Sequence, residues 1–510
     1  MANRTSNSIR NAKYSLIGET LNVFLGFLSR KIFVSILAIE YLGLSGLFSN
    51  ILTLLSITEL GIGSAFICLL YKPLADDKKE KIASIMSVYK KIYTIIGCVV
   101  GIVGVSLTPI LPFLIKEMPD ISYISFIYIL YVFNSAISYF FSYKRELIIA
   151  NQQRYIYSMY NIVIKTAMYI GQIIVLVLTR NYILFLLVII VATLTENILI
   201  SRKADKLFPY IRTLKPQKMS KDEINEVKEK VVGSSFHKIG DMLIIGTTNI
   251  LISKIVGLVV TGLYSNYILI ISVINTVMTL IYNSILASAG NLGAQSGTTE
   301  RKNIFNKIFF FTAWAFGFSA CCFLGLLNPF IRIWLGEEFL LSNSVVIIIV
   351  INFYLIGMRR PIAMMRDALG IFTHDKFKVI PEIIINFTVS IIAGIKFGVF
   401  GIILGNIVSN LCTTFWTYPY VLYHYGFDSS VKEYYKKYSG YSLLILIACF
   451  VCWFLCNFIP DINIITFALK MLICFVLPNI WFFMAFHKSD EFKFFVGLIK
   501  DRMKRGTKFL

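Results

Sequence analysis

Long apolar runs separated by short polar gaps set the rhythm of this chain. A bilayer core takes roughly 20 predominantly apolar residues in helical form. The runs near 12–39, 43–71, 84–115, 121–149, 156–179, 182–201, 232–256, 261–287, 304–331, 342–370, 379–397, 399–424, 439–459 and 462–486 therefore predict 14 transmembrane helices. The longest polar stretch, between Ser201 and Val231, holds KADKLFPYIRTLKPQKMSKDEINEVKEK. Its mixed charges and helically spaced apolar residues predict a linker with an amphipathic interfacial helix.

An internal repeat divides the chain at that linker. Ser45-Gly-Leu-Phe-Ser-Asn50 returns as Thr261-Gly-Leu-Tyr-Ser-Asn266, and Pro112-Phe-Leu-Ile115 is answered by Pro329-Phe-Ile-Arg332. Six spans separate the copies, an even number, so the halves share one orientation and belong to the parallel class of transporter repeats. The expected fold is an all-α polytopic membrane protein. It has a six-helix bundle in 1–201, a cytoplasmic linker in 202–231 and a second six-helix bundle in 232–424. A cytoplasmic loop at 425–438, helices 13 and 14 in 439–486 and a basic cytoplasmic tail at 487–510 complete it.

Composition agrees: 57% of the 510 residues are hydrophobic and only 15% charged, against roughly a quarter charged in soluble domains. The net charge of +21 would suit nucleic acid, but the basic residues sit in the gaps between apolar runs. Cytoplasmic loops carry the excess of lysine and arginine. Placing both termini in the cytoplasm puts 39 basic residues on that side. Six face the other: Lys116, Arg180, Lys254, Arg332, Lys396 and Lys470. The N-terminus, MANRTSNSIRNAKYS, is polar and basic, and the run after it is too long and interrupted for a signal peptide. The first helix is expected to stay.

All nine cysteines (Cys68, Cys98, Cys321, Cys322, Cys412, Cys449, Cys452, Cys456, Cys474) fall in apolar segments. They read as small buried hydrophobes rather than metal ligands. There is no phosphate-binding G-x-x-x-x-G-K-[ST] loop, no H-E-x-x-H and no G-x-S-x-G. Asp76-Asp77 lies in the solvated run PLADDKKEK, and the four histidines are scattered. No external gap is long enough to house a catalytic pair, so the chain reads as a non-enzyme.

Charges inside spans cost about 2.5–3.5 kcal/mol on insertion scales, so each needs a reason. On the first helix Ser15, Glu19, Asn22, Gly26 and Arg30 form one polar or small-residue stripe, and Arg30 has no acidic neighbour within a turn. The seventh span carries Ser234, His237, Lys238, Asp241 and Thr248. Lys238 and Asp241, three apart, fit either mutual neutralisation or a cavity lining. The second span holds Asn50, Ser56 and Glu59, and its repeat partner holds Asn266, Ser272 and Asn275. Lys165 in the fifth span and Glu196 in the sixth add two more charges. Arg359, Arg360, Arg366 and Asp367 line the cytoplasmic end of the tenth, as Lys144, Arg145 and Glu146 do in the fourth. For Lys31, Glu196 and these end clusters, pairing or snorkelling is the simpler reading. A polar stripe on the first span of each half points to a hydrated path whose cations suit an anionic head group.

The stretch Arg30–Leu74 resembles the polysaccharide-transport flippases of the multidrug/oligosaccharidyl-lipid/polysaccharide exporter superfamily. The resemblance rests on Arg30, Tyr41-Leu-Gly-Leu44, Gly46-Leu-Phe-Ser-Asn50, Glu59-Leu-Gly-Ile-Gly63 and Leu70-Tyr-Lys-Pro73. Ala368-Leu-Gly370 with Asp375-Lys376 resembles the family's turn after the tenth span. The resemblance implies two bundles around a V-shaped cavity, with alternating access by rocking. It also implies a polyprenyl-diphosphate-linked oligosaccharide, an O-antigen (lipopolysaccharide), capsule or exopolysaccharide precursor, moved from the cytoplasmic to the outer leaflet of the bacterial inner membrane.

On that reading Arg30, then Lys238 and Lys165, with Asn50 and Asn266, bind the diphosphate and sugars. Glu19, Glu59 and Asp241 either bind a coupling H+ or Na+ or pair with the bases. No cofactor or metal is implied. Partners are membrane lipid, a polysaccharide polymerase and chain-length proteins, with no nucleic acid. The last two spans can form a groove for the lipid tail. A multidrug exporter of the same superfamily would favour an acidic cavity, a glycan polymerase or ligase would need larger external loops, and a symporter of another fold would not explain the repeat.

Overall fold

The computed structural model describes residues 2–59, 62–216, 239–240, 242–244, 246–295, 297–371, 374–460 and 463–497. Among them there is no β-strand. The longer helices begin with α1 Ala2–Ile36, α2 Ile39–Leu55, α3 Ile62–Ala75, α4 Lys79–Ser106, α5 Ile124–Ala150, α6 Arg154–Thr179 and α7 Tyr182–Leu207. There follow α8 Leu258–Gln295, α9 Thr298–Trp334, α10 Asn343–Ala368, α11 Val379–Phe397, α12 Val399–Cys412, α13 Thr414–Val421, α14 Lys432–Asn457 and α15 Ile464–Phe486. Among the described residues, eleven helical stretches are long and apolar enough to cross a bilayer by length and composition. The chain is a multi-pass membrane protein.

Several helices outrun their apolar segments. α1 begins at Ala2 rather than near 12, and α9 runs 37 residues from Thr298. Hydropathy marks only the lipid-embedded part of a helix, whereas backbone hydrogen bonding continues into water at no cost. The second span departs in the other direction. It was expected as one helix over 43–71, but α2 ends at Leu55 and a tight 3-10 turn, Ser56–Glu59, precedes α3. The hydroxyls of Thr53 and Ser56 bond back to the carbonyls of Ser49 (2.8 Å) and Thr53 (2.7 Å). Such side-chain bonds to the helix's own carbonyls compete with the regular ladder and bend it.

The chain packs as two compact units, Met1–Gly262 and Leu263–Leu510. Of the linker expected at 202–231, residues 217–231 lie outside the described residues. Its first part continues α7 to Leu207, after which Phe208 is buried in the aromatic and aliphatic core formed with Ile82, Ile85 and Met86 of α4.

Small residues bring the helices close, as is usual where lipid supplies no hydrophobic drive between them. In the first unit Gly97 and Gly104 of α4 lie against Ala136, Tyr139 and Val132 of α5. Gly43 of α2 touches the Leu258 carbonyl at the first turn of α8, and Gly262 faces the Ile39 carbonyl. Gly46 likewise lies against the Thr261 side chain.

In the second unit α11 and α12 form a tight hairpin. Gly398, with φ +59°, makes the turn, and Gly401 and Gly405 let α12 close on Ala393 and Ser390. Ser390 donates to the Ile402 carbonyl (3.0 Å) and Asn386 to Asn406 (2.7 Å).

Candidate functional site

Within the first unit the polar stripe of α1 is met by tyrosines. Arg30 is partly buried, and its electrostatic neighbours are the hydroxyls of Tyr131 on α5, Tyr169 on α6 and Tyr182 on α7. Tyr131 donates to Ser45 Oγ at 2.9 Å, and the Tyr131 and Tyr182 oxygens lie 2.8 Å apart. Phe33 and Tyr41 pack against the Tyr182 ring and fix it. Gly26 opens the space: a Cβ there would sit 3.4 Å from Tyr169 Oη. Tyr169 is also an electrostatic neighbour of Glu19. Arg30 lies six residues from the end of α1, roughly 9 Å at helical rise.

Lys165 is partly buried on α6. With Asn161 and Tyr169 it recurs every four residues and so shares their face of the helix. Asn161 donates to Glu196 at 3.0 Å. Glu196 thus has a neutral amide partner on the adjacent helix.

Glu59 is positioned by the break in the second span. It accepts from Tyr93 Oη at 2.6 Å, and Tyr139 is a further electrostatic neighbour. Its hydrogen bond thus comes from a tyrosine hydroxyl, which differs from the pairing with bases that was one of its two expected roles. Glu19 is exposed. Asn50 donates back to the Gly46 carbonyl of its own helix at 3.1 Å, which makes its amide a helix-internal group. In the second unit Asn266 is fully buried, and neither amide atom has a partner among the described residues. Lys238 and Asp241, with Ser234 and His237, lie outside the described residues.

The repeat diverges where chemistry would sit. Asn275, the counterpart of Glu59, takes Arg360 instead: Nη2 to Oδ1 is 2.9 Å, with Thr279 Oγ1 at 3.2 Å from Nη1. One unit thus carries a carboxylate under a tyrosine donor, and the other an amide under an arginine.

The second unit also holds a buried ionic network that sequence reasoning grasped only in part. Arg366, expected at the end of the tenth span, is buried and bonds Asp375. Lys378 reaches Glu382 (3.0 Å) and Thr414 (2.8 Å), and Thr414 donates to Glu382 (2.9 Å). Arg359 adds a contact to Glu382 at 3.4 Å. The Tyr418 ring lies 3.9 Å from both Arg366 and Lys378. Lys378 and Glu382 were missed because they open an apolar run; their i,i+4 spacing was the available signal.

Six of the nine cysteines converge on α9, α14 and α15. Cys321 and Cys449 sulfurs are 3.3 Å apart and those of Cys456 and Cys474 3.6 Å. Gly325 leaves room for the last two. Among the described residues no group of three or more histidine, cysteine or acidic side chains is arranged to hold a metal ion. This cluster packs the last two helices onto α9. Over those helices runs an apolar groove of about 420 Å³ lined by Leu455, Leu472, Val476, Ile480 and Trp481, among others.

No family model and no curated protein matches this chain. Solved structures do. The lipid II flippase MurJ in an inward closed conformation aligns with TM-score 0.66 over 94% of this chain and 99% of its own, at 15% identity. An inward-facing multidrug-resistance MATE family transporter of the MOP superfamily aligns with TM-score 0.59 over 80% and 97%, at 13% identity. The Vibrio cholerae MATE transporter VcmN gives 0.59 over 84% and 99%, at 12%. At these identities the likeness is one of fold: this chain has the fold of MOP-superfamily transporters and flippases.

Proposed function

We propose that this protein is a flippase that moves a polyprenyl-diphosphate-linked oligosaccharide from the cytoplasmic to the outer leaflet by alternating access. The observation that carries the reading is the setting of Arg30, a partly buried cation with Tyr131, Tyr169 and Tyr182 as its electrostatic neighbours. A guanidinium grips phosphate oxygens with two parallel bonds. Tyrosine hydroxyls both donate and accept, so they serve diphosphate oxygens and sugar hydroxyls alike. Lys165, on the α6 face it shares with Tyr169, supplies a second cation to the same ligand. The shared fold with a lipid II flippase supports a lipid-linked cargo. The superfamily's polysaccharide branch, its polymerase partners and a bacterial inner-membrane location follow from the motifs around Arg30–Leu74, with no covalent step assigned.

A second reading, export of a small cationic molecule, is favoured by Glu59, whose carboxylate under Tyr93 and Tyr139 would hold a cation. We assign Glu59 to the coupling ion, H+ or Na+, instead. The test is substitution at Arg30 in cells that depend on this chain for surface glycan. Arg30→Ala is expected to stop translocation while the protein stays in the membrane at normal level, and Arg30→Lys to retain part of it. Full activity of Arg30→Ala removes Arg30 from the site.

A further inference from the structure

The second unit holds a polar cavity of about 340 Å³ that transport through the Arg30 site does not use. Its walls come from α9 and α10 of the bundle and from α14 and α15, the appended pair. Six side chains give it its chemistry: Asn328, Arg332, Asn343, Trp453, Asn457 and Lys470. It lies on the side that the lysine and arginine count assigns to the outside.

Lys470, counted on the external side within the last span, sits in the seventh position of α15, where it is 4% exposed. That is roughly 9 Å along the helix from its start. A buried ionisable residue within a membrane span is costly to insert and marks a functional site by default. Arg332 enters from α9. Its Nε lies 3.2 Å from Oε1 of Glu337, which is itself 77% exposed in its side chain. Among the described residues the cavity is lined by these two cations and by no carboxylate.

The neutral wall is held rigid. Tyr267 Oη donates to Asn328 Oδ1 at 2.6 Å and accepts from the Leu341 amide at 2.9 Å. The other end of the Asn328 amide then donates to Asn343 Oδ1 (2.9 Å) and to the Leu341 carbonyl (3.2 Å). Asn328 is thereby a fixed wall with its own donors engaged. The amide nitrogens of Asn343 and Asn457 in the lining are the neutral donors preorganised for a ligand. A water takes about 30 Å³ in the liquid, so the cavity has room for a charged group with several waters.

We propose that this cavity binds a phosphate group, that of an anionic membrane lipid whose acyl chains lie against α14 and α15. Two cations with neutral amide donors match a phosphate's three oxygens and negative charge. The lipid source is favoured by the surroundings. Leu469 and Leu472 next to Lys470, and Phe454 and Phe458 next to Asn457, are exposed apolar side chains, and the apolar groove begins at Leu455 and Leu472. Bound there, the lipid bridges the appended helix pair to the bundle through Lys470 on one side and Arg332 on the other.

The test is native mass spectrometry of the full chain, purified in detergent and supplied with phosphatidylglycerol or with diacylglycerol of the same chains. Wild type is expected to retain phosphatidylglycerol and not diacylglycerol. Lys470→Met is expected to weaken retention about tenfold or more, the effect of losing a charge-assisted hydrogen bond, and Lys470→Arg to restore it. Arg332→Gln, on a separate helix and a partly exposed residue, must weaken it as well, which covers the case in which Lys470→Met does not fold. Inorganic phosphate at millimolar concentration separates the sources. Failure to displace the lipid supports the headgroup. Displacement supports the phosphate chemistry and assigns the site to the soluble ion. Equal retention of diacylglycerol, or retention of phosphatidylglycerol unchanged by both folded variants, overturns the proposal.

Discussion

Glu382→Gln tests whether the ionic network of the second unit is a structural lock. The carboxylate, 4% exposed, accepts from Lys378 at 3.0 Å, from Thr414 at 2.9 Å and from Arg359 at 3.4 Å. At an effective dielectric of about 20, two charges 3.0 Å apart attract by roughly 5 kcal/mol. Desolvation cancels most of that, so the pair as a whole is worth little against apolar residues of the same volume. Removing one partner is different, because it strands the other: about 3–5 kcal/mol is the usual cost. Glu382→Gln keeps the shape but leaves Lys378, itself 8% exposed, and Arg359 facing a neutral amide. We expect it to destabilise by about 3–5 kcal/mol. Lys378→Met costs less, since Thr414 and Arg359 still serve the carboxylate. The double variant should then recover about 1–3 kcal/mol of the summed single costs, the range of coupling between residues in one network. Reversible unfolding of the full chain in mixed micelles, titrated with dodecyl sulfate, measures all three. A Glu382→Gln cost below about 1 kcal/mol, or strictly additive costs, would refute the lock.

Two further predictions concern the first unit. A Cβ on Gly43 would strike the Leu258 backbone carbonyl, which cannot swing away as a side chain does, so Gly43→Ala should destabilise by about 1–3 kcal/mol in the same micelle assay; a neutral result would mean that α2 does not pack there in the folded protein. Glu59→Gln should abolish the dependence of transport on the driving ion gradient while leaving substrate binding intact, and Tyr93→Phe, which removes the 2.6 Å donor, should shift that dependence without abolishing it. Gradient-driven uptake in proteoliposomes reads both, and unchanged coupling in Glu59→Gln would assign the ion elsewhere.

The positions of the spans were legible because twenty apolar residues in a row admit few readings in a bilayer. The break at Ser56–Glu59 was not, since serine and threonine hydroxyls bend a helix without altering its hydropathy. Arg30 stood out as a charge in a span, yet its tyrosines could not be found from spacing: Tyr131, Tyr169 and Tyr182 come from three different helices. The same holds for the thiol cluster. Cys449, Cys452 and Cys456 share one helix face by sequence, but Cys321 and Cys474 join them only through packing. Lys470 was placed within the last span and counted on the external side, but its burial, at 4% exposure in a cavity lined also by α9 and α14, came only from the structure. In the repeat, Asn275 and Glu59 align in sequence and differ in partners, and only the structure tells that one is an arginine's acceptor and the other a tyrosine's.

The central claim is translocation, and the leaflet that holds the lipid-linked oligosaccharide reports it most directly. Cells lacking this chain would be labelled intact and after lysis with membrane-impermeant periodate or lectin. The account predicts that single repeat units accumulate and are labelled only after lysis. Accumulated units already labelled in intact cells would contradict it, because flipping would then proceed without this protein.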